Sequence, residues 1–200
     1  MSGNIKFYFD FSSPYAYFGA LKIDELVEGF GREVDWHPIL LGAVMKTTGN
    51  QSLAHQPVKS EYSKYDWERL SRFMDVPWTL PEHFPIGTMA AARAFYWIAD
   101  NDMALAKEFA LACFHKYFGE GIDITERDSV ADVAKQLGIN RNDLLAAIVT
   151  DEIKQRLRNE TQAATDAGVC GAPYFIVDGE PFWGSDRLWM IKRWLKSGGW

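Results

Sequence analysis

Apolar and polar residues alternate at the start of the chain. Ile5, Phe7, Phe9 and Phe11 are separated by Lys6, Tyr8 and Asp10. A two-residue period over this length predicts a β-strand, and aromatic side chains suit a pleated surface. The pattern changes at Ser12-Ser13-Pro14. Serine is a favoured helix N-cap, and proline is favoured at the first helical position. Tyr17, Leu21, Ile23, Leu26, Val27 and Phe30 then recur at mostly helical spacing, and Gly29 and Gly31 end the helix. Val34, Trp36 and Ile39 predict a second strand, interrupted by Pro38. Strand, helix and strand at these lengths form a β-α-β unit, which pairs its strands in parallel.

From about Gly42 to Glu160 the period is mostly helical. The clearest stretch runs from Thr88 to Phe118, rich in alanine and aromatics, with a break near Asp100-Asn101-Asp102. Ser129 to Leu137 and Asn142 to Thr150 read as short helices, with Gly138 ending the first, and Asp151 to Ala167 as a longer polar one. The end returns to β. Tyr174, Ile176 and Val177 form an apolar run, Asp178-Gly179 is a hairpin signal, and Glu180 to Trp183 is the return strand. A last helix begins near Ser185-Asp186 and is expected to bury Leu188, Trp189, Ile191, Trp194 and Leu195. The order is β-α-β, a helical insert, then β-β-α. This predicts an α/β domain in two pieces, residues 1–41 and 161–200, around an inserted helical domain at 42–160. Several α/β arrangements share this order.

Composition narrows the function. The chain has 200 residues, 48% hydrophobic, 24% charged and 14% aromatic, as in an ordinary globular core. A net charge of −6 without a basic stripe argues against nucleic acid as a partner. No apolar run approaches a membrane span, and Met1-Ser2-Gly3-Asn4-Ile5-Lys6 does not read as a secretory signal, so a cytoplasmic protein is expected. The two cysteines, Cys113 and Cys170, form no C-x-x-C, and His37, His55, His83 and His115 show no metal-ligand spacing. Neither a metal site nor a nucleotide-binding glycine loop is expected.

Three segments carry candidate chemistry. Ser13 stands where a strand gives way to a helix, and the free N–H groups of a helix start stabilise anions. Capping alone is the commoner role of such a serine. Gly171-Ala172-Pro173 precedes the third strand. Its proline suits a strand's first residue, where a trans bond is the usual case and a cis bond marks a special turn. Ser185 and Asp186 lie at a helix start, where they can cap the helix or bind a charged ligand. Tyr15, Trp67, Tyr96, Trp97 and Trp183 are aromatic candidates for a substrate pocket, with core packing the commoner alternative for each.

Taken together, these segments resemble a known family. Phe9-Asp10-Phe11 with Ser13-Pro14-Tyr15, Gly49-Asn50-Gln51, Pro57-Val58-Lys59, Asp123-Ile124-Thr125, Gly171-Ala172-Pro173 and Phe182-Trp183-Gly184-Ser185-Asp186-Arg187 recur in this order. The chain resembles the 2-hydroxychromene-2-carboxylate isomerases and the kappa-class glutathione transferases, nearly end to end. The resemblance implies a thioredoxin-like fold with a large all-helical insertion after the second strand. It implies glutathione as cofactor, a small aromatic substrate and a homodimer. It places Ser13 where redox relatives carry a nucleophilic cysteine, donating a hydrogen bond to the glutathione sulfur. It implies that Ala172, ahead of a cis Pro173, pairs with the cysteinyl part. Ser185 and Asp186 hold the γ-glutamyl end, and Asn50 and Lys59 bind from the insert. Cys170 departs from the bulky apolar residue expected there. The chain's end at Trp200 and its Phe182-Trp183 look more like the isomerases, with conjugation of glutathione to electrophiles as the alternative.

Thiol–disulfide exchange needs a thiolate at the attacking position. With serine at the helix start, the purified protein should leave the rate of insulin disulfide reduction by dithiothreitol at the uncatalysed level. A protein-dependent acceleration would overturn the reading of Ser13.

Overall fold

The computed structural model describes residues 3–200. Met1 and Ser2, part of the stretch read above for a secretory signal, lie outside the described residues. A four-stranded sheet has the order β2-β1-β3-β4. Strand β1 (Ile5–Phe9) pairs in parallel with β2 (Val34–Pro38) and antiparallel with β3 (Tyr174–Val177), which pairs antiparallel with β4 (Glu180–Trp183). Pro38 is tolerated because β2 is an edge strand and Pro38 is its last residue. The parallel ladder continues one step further, from Ile39 N–H to the Phe9 carbonyl at 2.8 Å.

Both faces of β1 are covered, which explains its burial. Ile5, Phe7 and Phe9 point into the main core with helix α1 (Pro14–Glu28). Phe7 stacks on Phe9 and Phe175 at 5.0 Å each and meets the edge of Trp36 at the same distance. Tyr8 points the other way, into a smaller cluster with Ile39, Val44, Ala164, Val169 and Tyr174. That second face is closed by α8 (Asp151–Asp166). The boundary expected at residues 160 and 161 falls inside this continuous helix.

The insert between β2 and α8 consists of α2 (Leu41–Thr48), a 3-10 turn at Leu53–His55, α3 (Pro57–Met74), α4 (Met89–Ala99), α5 (Met103–Phe114) continued by a π-helical turn at His115–Gly119, α6 (Arg127–Gln136) and α7 (Arg141–Ala147). The break expected near Asp100 is the turn between α4 and α5, where Asp102 caps α5 by accepting from Leu105 N–H. Aromatic contacts join insert and sheet. Phe9 meets Phe95 at 5.8 Å and Phe114 at 5.7 Å, and Phe11 meets Phe114 at 5.1 Å. Phe11 itself lies just past the end of β1 but stays buried.

Asp178 and Gly179 both have positive φ, at 54° and 89°, as a type I′ hairpin requires. Helix α9 (Leu188–Ser197) buries Ile191, while Leu188, Trp194 and Leu195 are half-buried. Trp189, expected in the core, is exposed. A helix covering one side of α1 needs a narrow apolar stripe, and Trp189 falls beyond its edge. Among the described residues, no helix is long and apolar enough to cross a membrane.

Phe7 is fully buried between three aromatic rings that cannot collapse together. Phe7→Ala should therefore cost about 3–5 kcal/mol, the usual range for removing a core phenylalanine, read as a lowered urea midpoint.

Candidate functional site

The sheet topology creates the site. β1 runs into the turn before α1, and β3 starts beside that point in the opposite direction. The end of one strand and the start of the other therefore deliver Ser13 and Ala172 to the same place. Ser13 caps α1, accepting from Ala16 N–H at 3.2 Å, and its hydroxyl donates to the Ala172 carbonyl at 2.9 Å. The Ala172–Pro173 peptide bond is cis, so the special-turn reading of this proline holds. Gly19 in α1 lets the helix approach, since a Cβ there would already touch Pro173 and Phe175 at 3.4 Å.

The β3–β4 hairpin supplies the next part. Gly184 N–H donates to the Pro173 carbonyl at 3.0 Å, which sets Ser185 and Asp186 beside Ala172. Gly184 has φ of 108°, a conformation that favours glycine, and a Cβ there would lie 2.3 Å from an Asp186 carboxylate oxygen. The Asp186 carboxylate accepts from Arg187 Nη1 at 2.7 Å. From the insert, Asn50 Nδ2 donates to the Cys170 carbonyl at 3.0 Å, next to the Gly171-Ala172 backbone.

These residues surround one cleft of about 1200 Å³ between the sheet's end and the insert. Ser13, Asn50, Lys59, Ala172, Ser185 and Asp186 all line it. Lys46, Lys59 and Asp66 line it from the insert and Asp186 from the hairpin, so the cations stand on the insert side and carboxylates on both. Of the aromatic candidates, Tyr15, Trp67 and Trp183 line it. Tyr96 does not: it is buried, and its hydroxyl donates to the Pro38 carbonyl at 2.8 Å. Trp97 packs against the core away from the cleft. Cys170 reaches the cleft, but burial pushes its thiol pKa up, which disfavours the thiolate. Cys113 lies fully buried in α5, its thiol pushed up by the same cause.

Sequence reading missed Asp66, Asp10 and Thr88 as parts of the site. Tyr15 donates to Asp66 at 2.8 Å, and Asp66 also accepts from Arg69 at 2.9 Å. Burial and the Asp66 carboxylate raise the Tyr15 phenol above its ordinary value, so it stays protonated. The signal was present: Lys59, Tyr62, Asp66, Trp67 and Leu70 recur at helical spacing and give α3 a cleft-facing side. Asp10, quoted only as part of a motif, is a buried carboxyl group receiving four hydrogen bonds. Burial pushes its pKa above the usual carboxylate range, against the pull of those donors. Its partner Thr88 lies 78 positions away in sequence, and no local pattern links the two.

A hydroxyl at a helix start thus lies opposite the carbonyl before a cis proline, in a thioredoxin-like fold. The chain belongs to the DsbA-like thioredoxin-domain family, whose model matches residues 4–196. Within that family it groups with the 2-hydroxychromene-2-carboxylate isomerases and the kappa-class glutathione transferases. It is 28% identical to the 2-hydroxychromene-2-carboxylate isomerase of Sphingobium xenophagum, over 98% of this chain and 99% of that protein. It is 30% identical to glutathione S-transferase kappa 1 of Caenorhabditis elegans, over 96% of this chain and 91% of that one. A solved structure of 2-hydroxychromene-2-carboxylate isomerase matches with a TM-score of 0.88 and 26% identity, over 96% of this chain and 94% of that one.

Gly184→Ala tests the hairpin wall. A side chain at this φ stores about 1–3 kcal/mol of strain, and its Cβ displaces the Asp186 carboxylate. The expected result is a lower melting temperature together with weakened ligand binding on the hairpin side, measured by calorimetry. Unchanged stability would show that the backbone relaxes freely here.

Proposed function

We propose that the protein is a glutathione-dependent isomerase. It interconverts 2-hydroxychromene-2-carboxylate and trans-o-hydroxybenzylidenepyruvate in the breakdown of naphthalene-type aromatics. The observation that carries this reading is Ser13, a hydroxyl at the start of α1, 2.9 Å from the Ala172 carbonyl. Such a position stabilises a sulfur anion but cannot supply one.

The donor set fits glutathione. Asp186 suits the ammonium of a γ-glutamyl group and Ser185 its carboxylate, while Lys59 offers a point charge to a carboxylate on the far wall. The Ala172 backbone suits the cysteinyl part, which adds to it as an extra strand would. Asn50 already points at the neighbouring Cys170 carbonyl and borders that strand. The cleft exceeds the roughly 300–1,000 Å³ typical of one small-molecule site, which leaves space for an aromatic substrate beside Tyr15, Trp67 and Phe84.

Held by Ser13, Ala172, Ser185 and Asp186, glutathione would supply the thiol nucleophile that the chain itself lacks at this position. The chain's own part is to lower the thiol pKa and to place the reactants. The Ser13 hydroxyl, which now donates to the Ala172 carbonyl, would donate to the sulfur, with its oxygen still accepting from Ala16 N–H. The start of α1 adds its partial positive charge. The same serine site serves equally well to conjugate glutathione to an electrophile, and the similarity to a kappa-class transferase favours that second reading.

Glutathione stoichiometry separates the two. The isomerisation should run to completion with glutathione far below the substrate concentration, and free thiol should be fully recovered by titration. Loss of one thiol per product moves the assignment to a transferase. Full activity in dialysed, glutathione-free enzyme sinks both readings. Ser13→Ala should lower the rate about 10–100-fold, from the loss of a hydrogen bond to a charged group. It should lower stability by only about 0.5–2 kcal/mol as a lost cap. Ser12→Ala inactive beside a fully active Ser13→Ala would show that the wrong serine has been chosen.

A further inference from the structure

We infer that Asp10 is a positioning residue that holds one wall of the helical insert against the Ser13 turn, an inference that rests on the proposed function for its kinetic arm alone. Asp10 follows the last residue of β1, is buried, and lines the cleft. Its carboxyl group takes four hydrogen bonds from three separate segments. Oδ1 accepts from Ser12 N–H and Ser12 Oγ, both at 2.8 Å, and from Thr88 Oγ1 at 3.0 Å. Oδ2 accepts from Leu41 N–H at 2.8 Å.

Every one of these donors lies at the start of a helix. Ser12 immediately precedes Ser13, the N-cap of α1. Leu41 is the first residue of α2, whose own N-cap, Leu40, has no side chain able to cap it. Thr88 is the N-cap of α4, and its hydroxyl is spent on Asp10, with no cap bond inside its own helix. One buried acceptor thus serves three helix starts, where unpaired N–H groups and partial positive charge converge. Among the described residues no lysine, arginine or histidine forms an ion pair with it.

The three segments are not equivalent. The α1 turn carries Ser13. Leu41 marks where the chain leaves for the insert, and Thr88 where it comes back against the sheet. The stretch Phe84–Thr88 ahead of α4 lines the same cleft as the serine turn. A bond from Thr88 to Asp10 therefore sets the spacing between that stretch and Ser13. A residue needed for folding alone has a different signature: it changes the fraction of enzyme that is folded, which scales the apparent kcat and leaves KM unmoved.

The test uses Thr88→Val, which keeps shape and removes the hydroxyl, with Thr88→Ser as the conservative rescue. In Thr88→Val the KM for the aromatic substrate should rise about three- to tenfold, as for one lost hydrogen bond, with kcat close to that of the parent. Thr88→Ser should restore KM. Independently of any activity, amide hydrogen exchange at Ser12 and Leu41 should speed up in Asp10→Asn relative to the Phe7 amide in the sheet. If Asp10→Asn does not fold, the same comparison is made at the first turn of α4 in Thr88→Val. An unchanged KM in Thr88→Val, or exchange at these helix starts that moves only in step with the sheet, overturns the inference. Absence of isomerase activity in the parent enzyme overturns the proposed function instead, and the exchange experiment still decides the role of Asp10.

Discussion

The hydrogen bond from Ser13 to the Ala172 carbonyl spans 159 positions of sequence, and the architecture around it serves to hold its two ends together. Its existence requires β1 and β3 to be antiparallel neighbours with Phe7 opposite Phe175. It requires α1 to begin at residue 14, and Gly19 to let that helix lie against Pro173. It also requires Pro173 to present the preceding carbonyl outward, with its own carbonyl taken up by Gly184 N–H. Their product is a donor fixed at a helix start beside the Ala172 backbone. The partial positive charge of that helix start and the Ser13 hydroxyl thus lie together at one point of the cleft.

The electrostatics of this region follow from helix ends more than from charged side chains. The starts of α1, α2 and α4 meet at the end of β1. Burying a carboxyl group is costly without partners, yet four donors surround Asp10. The charged side chains keep to the rim, with Lys46 and Lys59 on the insert and Asp186 on the hairpin. The buried polar groups are thus satisfied within the protein, while the charged ones reach the solvent-facing side of the cleft, where Asp186 pairs with Arg187. The interior between them is aromatic: Trp67 stands within 6.1 Å of Tyr15 and 5.4 Å of Phe84, ring centre to ring centre.

The insert is bound to the sheet as a continuation of the core. Phe9 and Phe11 project beyond the strand into rings contributed by α4 and α5, and Tyr17 from α1 joins Phe114 and Phe118. Rings of this size bury much apolar surface and interlock at their edges, so the two parts cannot slide freely. The cleft lies along this seam. Its shape therefore depends on packing between segments that are far apart in the chain.

Much of this was written in the amino-acid sequence. Strand β1 showed in its alternation, the start of α1 in Ser-Ser-Pro, and the β3–β4 hairpin in Asp-Gly, because each depends on neighbours within a few residues. The motifs around Ser13, Ala172 and Ser185 pointed to segments that the structure brings to one cleft. Tertiary structure decided the rest. Tyr96 and Trp189 look alike as aromatic residues on helices, yet one is sealed in the core by a bond to Pro38 and the other faces solvent. Asp66 becomes the partner of Tyr15 only when α3 crosses α1. Asp10 meets Thr88 across 78 positions, and Ser13 meets Ala172 across 159. Periodicity reports which side of an element is apolar, but not which element it will face. Contacts between distant segments are set by packing, and it is these contacts that turn a capped helix into a site.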